Sequence, residues 1–275
     1  MLKAADRKKL EDKALQIREK LIEVTYACGG THIGGSMSQT DILVALYYHF
    51  MRHDPKNPKW EDRDRFVLSK GHGGAGHAVI LGDLGYFDEK LLLDFNKTGS
   101  PFGMHLDCTR VPGVDASTGS LGHGMGIALG MALGARAQGK KYRIYCVVGD
   151  GECDEGSIWE TAMAGGHYKV TNLTCFVDRN RFSLDGPTEE VMTLEPLDKK
   201  FEAFGWRVLT IDGHDFNAIA GAIEAAHAET GKPCMVLANT VKGKGVDFME
   251  NKTGWHYGGL DDAMKAKALA SVRKR

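Results

Sequence analysis

From Tyr142 to Thr240 the chain alternates short β-rich runs with helical ones, and this rhythm constrains the fold more than any other feature of the sequence. Tyr142 to Val148 reads as a strand, Ser157 to about Lys169 as a helix, and Leu173 to Val177 as a second strand. The runs from Trp206 to Ile211 and from Cys234 to Thr240 are strands on either side of a helix from Phe216 to Glu229. Repeated strand–helix–strand units return each strand to the same edge, so the sheet is mostly parallel and covered by helices on both faces. Right-handed crossovers leave few topologies for such a sheet. The expected fold class is α/β.

Upstream, Leu10, Ala14, Ile17, Leu21 and Val24 stand at helical spacing with charges between them, predicting an amphipathic helix that ends at Gly29-Gly30. A second, more buried helix is predicted from Ser38 to about Met51, then a short strand over Arg65–Ser69 that runs into Gly71-His72-Gly73-Gly74. Leu121 to Gln138 carries small residues at every third or fourth position, a helix able to pack its backbone close to a neighbour. With no linker, repeat or low-complexity stretch, residues 1–275 read as one domain. The 35 Lys and Arg balance 36 Asp and Glu, which argues against a nucleic-acid partner or an anionic membrane surface. Only Arg273-Lys274-Arg275 is locally basic, and it reads as a solvated terminus. No apolar run is long enough to span a bilayer. The six scattered cysteines form no Cys-x-x-Cys and the chain opens on a charged amphipathic stretch, so a cytoplasmic protein without disulfides is expected.

Glycine is the one unusual component: 35 of 275 residues, against a usual share of about 7%. Segments 29–35, 71–76, 119–134 and 149–156 hold 17 of those 35 glycines in 37 residues, with His32, His72, His77, His105 and His123 in or near them. Such clusters mark sharp turns or close approach of backbone to a ligand. Gly149-Asp150-Gly151 follows a predicted strand and opens a helix, at the sheet edge where α/β proteins bind phosphates. An aspartate there repels phosphate unless a cation lies between. Thirty residues on, the next strand delivers Asn180 to the same edge, and Asp150, Asn180 and a backbone carbonyl make an oxygen set suited to Mg²⁺. The same residues would also serve as a tight turn and a turn former.

Gly-Asp-Gly followed at this distance by a strand-end asparagine resembles the thiamine diphosphate enzymes, and the match is closer to transketolases. Gly149 to Gly156, with Glu160, Ala164-Gly165 and Asp178 to Gly186, resembles their metal and diphosphate loop. Leu68-Ser69-Lys70-Gly71-His72 resembles their cofactor-histidine motif, and Pro112 to Gly122 their turn toward the aminopyrimidine. The resemblance runs from about Leu10 to His256 in the family's order. It implies a thiamine diphosphate-binding fold, specifically the diphosphate (pyrophosphate) domain, without the pyrimidine-binding and C-terminal domains. The chain is therefore similar to the N-terminal subunit of a split transketolase, whose partner supplies the pyrimidine-binding domain and its activating glutamate. After Lys242 only 33 residues remain, too few for such a domain, and an α2β2 heterotetramer is expected.

The resemblance also implies roles for individual residues. Asp150, Asn180 and the Phe182 carbonyl bind Mg²⁺, with Gly149 and Gly151 letting backbone approach the diphosphate. Lys70, His72, Lys242 and His256 bind or neutralise that diphosphate. Gly119, Ser120 and Leu121 form the aminopyrimidine turn, and Leu184 packs near the thiazolium ring. Glu155 and Glu160 belong to the subunit contact and a proton network between cofactors. His32 and His105 match substrate-facing histidines and, with His256 and the two glutamates, make up the catalytic set. The implied reaction moves a two-carbon ketol unit from a ketose, or its phosphate, to an aldose.

Three departures from the family pattern lie at the substrate mouth: Gly30-Thr31-His32-Ile33-Gly34, Met104-His105-Leu106 and His123. They leave donor and acceptor open. Rival readings are a subunit of another thiamine diphosphate enzyme, such as a 1-deoxyxylulose-5-phosphate synthase or the α subunit of a 2-oxo acid dehydrogenase, or a non-catalytic subunit that keeps the fold. The Ser117-Thr118-Gly119-Ser120-Leu121-Gly122 turn favours transketolase over the first, and the intact Asp150/Asn180 pair and histidines argue against the last.

Overall fold

The computed structural model describes residues 2–274. Its five strands are β1 (Arg65–Leu68), β2 (Ile144–Gly149), β3 (Leu173–Arg179), β4 (Arg207–Asp212) and β5 (Cys234–Asn239), lying in the order β1-β2-β3-β5-β4 with every pairing parallel. Alternate side chains leave each strand on opposite faces. In β2, Tyr145 and Val147 enter one apolar cluster, and Ile144, Cys146 and Val148 enter the other. Burial on both faces explains why these strands read as near-continuous apolar runs.

The first face is covered by α1 (Ala4–Cys28), α2 (Ile33–Ser38), α3 (Thr40–Ala45), α4 (Gly74–Asp83), α9 (Phe216–Ala228) and α10 (Asp262–Arg273). The second is covered by α5 (His123–Ala137), α6 (Gly156–His167) and α8 (Leu197–Ala203), with the single turn α7 (Thr188–Val191) at its margin. The α/β class with helices on both faces is therefore what the chain adopts. Helix α1 buries Leu10, Ala14, Ile17, Leu21 and Val24 as its spacing predicts, and stops where Gly29 takes the left-handed conformation (φ 80°) and returns its N–H to Tyr26.

One local expectation needs correction, and two are extended. The predicted helix from Ser38 to Met51 begins earlier, at Ile33, and comes in pieces that end in a wide π-turn over Leu46–Phe50. The glycines after β1 lead into helix α4, whose residues 74–82 are all buried. The basic end is solvated and also closes a helix. Arg273 and Lys274 are exposed, but they close α10, which buries Ala268, Ser271 and Val272, and Arg273 bonds Glu19 of α1 at 2.6 Å. Arg275 lies outside the described residues. In α5, the small residues do bring backbone close: a Cβ on Gly124 would stand 2.5 Å from the Ser69 Cα. Gly130 and Gly134 face open space instead.

Candidate active site

Parallel strands deliver their following loops to one edge, and the register decides which residues meet there. Gly149 pairs with Asp178, so Asp150 and Asn180 leave neighbouring strands at nearly the same level. Leu68 pairs with Val147, which brings Lys70 to that edge, and Arg179 pairs with Asn239, which brings Lys242. A cavity of about 420 Å³ opens between them. It is lined by His32, Lys70, His72, His105, Gly119, Leu121, Gly149, Asp150, Gly151, Glu155, Asn180, Phe182, Leu184, Lys242 and His256. Residues drawn from widely separated motifs thus share one wall. Ser120 and Glu160 do not line it; both are exposed, Glu160 on α6.

Asp150 is almost fully buried, accepting from the N–H of Gly151 at 2.9 Å and from the N–H of Arg181. Burial first, and the nearby negative charge of Asp178 second, push its carboxyl up to about 7. A carboxylate in that position is short of positive charge, the condition a bound cation relieves. Asn180 donates to Asp178 at 3.4 Å while its Oδ1 accepts from the Phe182 N–H at 3.2 Å. The Phe182 carbonyl already draws a cation, the Lys242 ammonium at 3.3 Å. No three His, Cys, Asp or Glu side chains converge as a metal cluster among the described residues, so a metal here would rest on one carboxylate, one amide and carbonyl oxygen.

Two buried lysines face the same space. Lys70 is 1% exposed and sits 2.5 Å from Asp178 Oδ2 and 3.0 Å from the Gly35 carbonyl. Lys242, also 1% exposed, donates to the Ser183 carbonyl at 2.9 Å and meets His256 Nδ1 at 2.9 Å. Burial, reinforced by the charge of Lys70, lowers its ammonium to about 8. Three histidine rings, His32, His72 and His256, lie mutually 5.3 Å apart, with His105 at 6.5 Å from His32. Burial holds His32 down at about 4 and His256 at about 3, with nearby cationic groups adding to it, so both rings are neutral at pH 7. His32 Nδ1 is buried without a hydrogen-bond partner, a donor or acceptor aimed at an absent group. Buried cations, an orphaned imidazole nitrogen and an under-neutralised carboxylate around one cavity fit a diphosphate held with a metal.

Two residues of this site carry structure that their motifs did not announce. Asp178 is fully buried and accepts from Lys70, from Ser38 Oγ at 2.6 Å and from Thr240 Oγ1. Burial opposes its charge, but Lys70 and the hydroxyl donors outweigh burial and keep its carboxyl below the usual range. Glu152 accepts from Ser69 Oγ at 2.5 Å and from the N–H groups of Gly122 and Gly149, each at 2.8 Å. It clasps the ends of β1 and β2 to the start of α5. The sequence offers only an acidic run, Asp150, Glu152, Asp154 and Glu155, and no signal for which member turns inward.

The transketolase thiamine diphosphate binding domain matches residues 11–274. The chain belongs to the transketolase family. It is 44% identical over 265 residues to a 6-deoxy-6-sulfo-D-fructose transketolase subunit of a Clostridium species, covering 96% of each chain. It is 39% identical to an apulose-4-phosphate transketolase subunit of Phocaeicola vulgatus, covering 97% of this chain and 94% of that one. A solved Campylobacter jejuni transketolase superposes with a TM-score of 0.90 at 33% identity, over 96% of this chain and 42% of the other. This transketolase-family chain thus matches nearly the whole length of relatives named as subunits, and about two fifths of a longer transketolase chain. The family match sets aside the synthase and dehydrogenase readings.

Proposed function

We propose that this chain is the diphosphate-binding subunit of a thiamine diphosphate- and Mg²⁺-dependent transketolase, moving a two-carbon ketol unit from a ketose or its phosphate to an aldose acceptor. The observation that carries it is the convergence of Lys70, Asp150, Asn180 and Lys242 from four strand ends on one cavity beside three mutually close histidines. In this reading residues 1–275 are a single domain, and the pyrimidine-binding and C-terminal domains belong to a partner subunit in an α2β2 assembly. The lengths and names of the subunit relatives support that division. The exposed apolar side chains Ile127 of α5 and Met163 of α6, with Gly130 of α5 facing open space, suit a protein partner. We place the enzyme in the cytoplasm, with its six cysteines as thiols. No helix among the described residues is long and apolar enough to cross a membrane.

Asp150, Asn180 and the Phe182 carbonyl would hold the metal, and Lys70, His72, Lys242 and His256 the diphosphate. Gly119 and Leu121 would present backbone to the aminopyrimidine, and Leu184 a side chain to the thiazolium. When bound, thiamine diphosphate supplies the carbanion that attacks a ketose carbonyl. The protein's task is to place groups that hold and orient the substrate against it. Neutral His32 keeps an unpartnered Nδ1, neutral His256, whose Nδ1 accepts from Lys242, has its Nε2–H left to donate, and exposed His105 reaches the same mouth, so substrate hydroxyls can be held there. Glu155, at the cavity rim, stands where a partner's groups would meet it. The two subunit relatives are named for ketoses bearing a sulfonate or a phosphate, and we extend the class, an anionic ketose, to this chain.

Mixing the purified chain with its pyrimidine-domain partner should generate ketol transfer that neither protein shows alone. Turnover by rigorously partner-free chain at the reconstituted rate would overturn the two-subunit reading.

A further inference from the structure

We propose that His214, locked in one tautomer by Asp41, is a positioning residue that aims Lys242 into the cavity. The proposal rests on the cofactor reading above only for its functional consequence. His214 lies between β4 and α9, outside the cavity lining, with its side chain 11% exposed. Its Nδ1 is 2.6 Å from Asp41 Oδ2, and its Nε2 accepts from the Val241 N–H at 2.9 Å. A carboxylate can only accept and an amide N–H can only donate, so the two contacts together require hydrogen on Nδ1 and a lone pair on Nε2. Asp41 cannot swing to relieve this demand. Arg18 grips both its oxygens, Nη1 to Oδ1 at 2.9 Å and Nη2 to Oδ2 at 2.6 Å, and also donates to the Met37 carbonyl at 3.2 Å. Burial opposes the Asp41 charge, but Arg18 and His214 outweigh it and hold the carboxyl at about 2.

What the imidazole holds is the base of the Lys242 side chain. One residue before Val241, Thr240 bonds Asp178; one residue after, Lys242 reaches the Phe182 and Ser183 carbonyls and His256. The backbone leaving β5 is therefore pinned from the sheet side by Thr240 and from the helix side by His214. Removing the imidazole acceptor leaves the Val241 N–H without its partner, and the segment must turn to find another. Lys242 turns with it. A buried ammonium has few alternative positions that keep its acceptors, so a small rotation at Val241 is felt at the diphosphate end of the cavity.

Two substitutions separate the halves of the contact. His214→Asn puts an amide near the Nδ1 position, keeping a donor for Asp41 but losing the acceptor for Val241. His214→Gln carries a carbonyl oxygen toward the Nε2 position, keeping that acceptor. A purely structural tie to Asp41 would favour Asn; the positioning role favours Gln. In the full chain, the Asn variant should show the Val241 amide exchanging about tenfold faster and, with Mg²⁺ and the partner present, thiamine diphosphate bound about tenfold more weakly. The Gln variant should stay within about threefold of the parent on both readouts, with similar melting temperatures for the two variants. Histidine-labelled ¹⁵N spectra of the parent should show the Nδ1–H tautomer at His214. An Nε2–H tautomer overturns the proposal, as does an Asn variant that binds and exchanges like the parent; if that variant does not fold, the tautomer and the Gln variant decide. Failure of the parent itself to bind thiamine diphosphate would sink the cofactor reading, while tautomer and Val241 exchange would still judge His214.

Discussion

The two ends of the sheet use buried charge differently. At the amino end, where β1 and β2 begin, each carboxylate is closed off by donors. Asp115 accepts from Arg63 at 2.5 Å and from the Phe66 N–H at 2.8 Å, and Asp64 accepts from the N–H groups of Arg52 and Arg143, each at 2.8 Å, and from the Arg52 guanidinium at 3.1 Å. At the carboxyl end Lys70 closes on Asp178 at 2.5 Å, but no ion pair to Asp150 is found among the described residues, and Lys242 reaches only two carbonyls and a histidine ring. Closed pairs hold segments together; open groups wait for a ligand. Volume alone would mislead, because a larger hollow of about 740 Å³ lies near the amino ends of β4 and β5, lined by Lys169, Arg207, Glu229 and Lys232 with no converging buried charges.

Asp150→Ala is the strongest way to break this contrast. It should weaken Mg²⁺-dependent thiamine diphosphate binding on the order of a hundredfold or more, because the metal loses its anionic ligand. Cofactor-free stability should hold or rise, since a carboxyl pushed up to about 7 is held charged at a cost in the fold. Titration calorimetry and a thermal melt together test it, and undiminished binding would remove Asp150 from the metal site. Asp115→Ala is the mirror experiment. It should destabilise the chain by about 3 kcal/mol, leaving the Arg63 charge and the Phe66 N–H unpaired, with cofactor affinity unchanged. Equal effects of the two variants on affinity would dissolve the distinction.

How much of this could be read from the residues follows the same physics. The strands were legible to within two residues at every end because apolar runs bounded by turn residues repeat. Asp150 and Asn180 were drawn to one edge by spacing, because each follows a strand directly and parallel register carries strand ends to a common edge; Lys70, His72 and Lys242 were named from the resemblance to transketolases, and all five line the cavity. Helix α4 was not, because Gly74–Gly82 is buried on all sides and shows no amphipathic period. The early start at Ile33 was hidden by Gly34-Gly35, which read as a turn. Glu152 and Asp178 went unassigned because inward orientation is set by tertiary packing, which one-dimensional spacing does not encode. His214 was invisible for a stronger reason: its partners Asp41 and Val241 are 173 and 27 residues away.

Acid sharpens the comparison next. His77 is 2% exposed, hydrogen-bonded to the Tyr47 hydroxyl at 2.7 Å, and burial lowers its imidazole to about 3. Its ordinary value is 6.5, so between pH 6.5 and 3 the unfolded chain binds the proton and the folded chain does not. The stabilisation is complete above pH 6.5 and is lost as pH falls through that window, by up to about 1.4 kcal/mol per pH unit for one such group. Urea midpoints should therefore decline below pH 6.5, and His77→Gln should flatten the decline. An unchanged slope would assign the acid sensitivity to other groups.

The smallest effect isolates what exposure means at the open end. Leu184 is 62% exposed yet lines the cavity, so truncating it removes little that the cofactor-free fold has buried. Leu184→Ala should leave the unfolding midpoint within about 0.5 kcal/mol of the parent. If a thiazolium ring and a partner surface cover that side chain in the working enzyme, the lost apolar contact is worth on the order of 1 kcal/mol, a several-fold loss of cofactor affinity. An apolar core residue would show the reverse, a large stability loss with affinity spared. Parent-like affinity in the Leu184→Ala variant, measured with Mg²⁺ and partner present, would mean that the leucine meets solvent even in the assembled enzyme, and that the open end closes around the diphosphate alone.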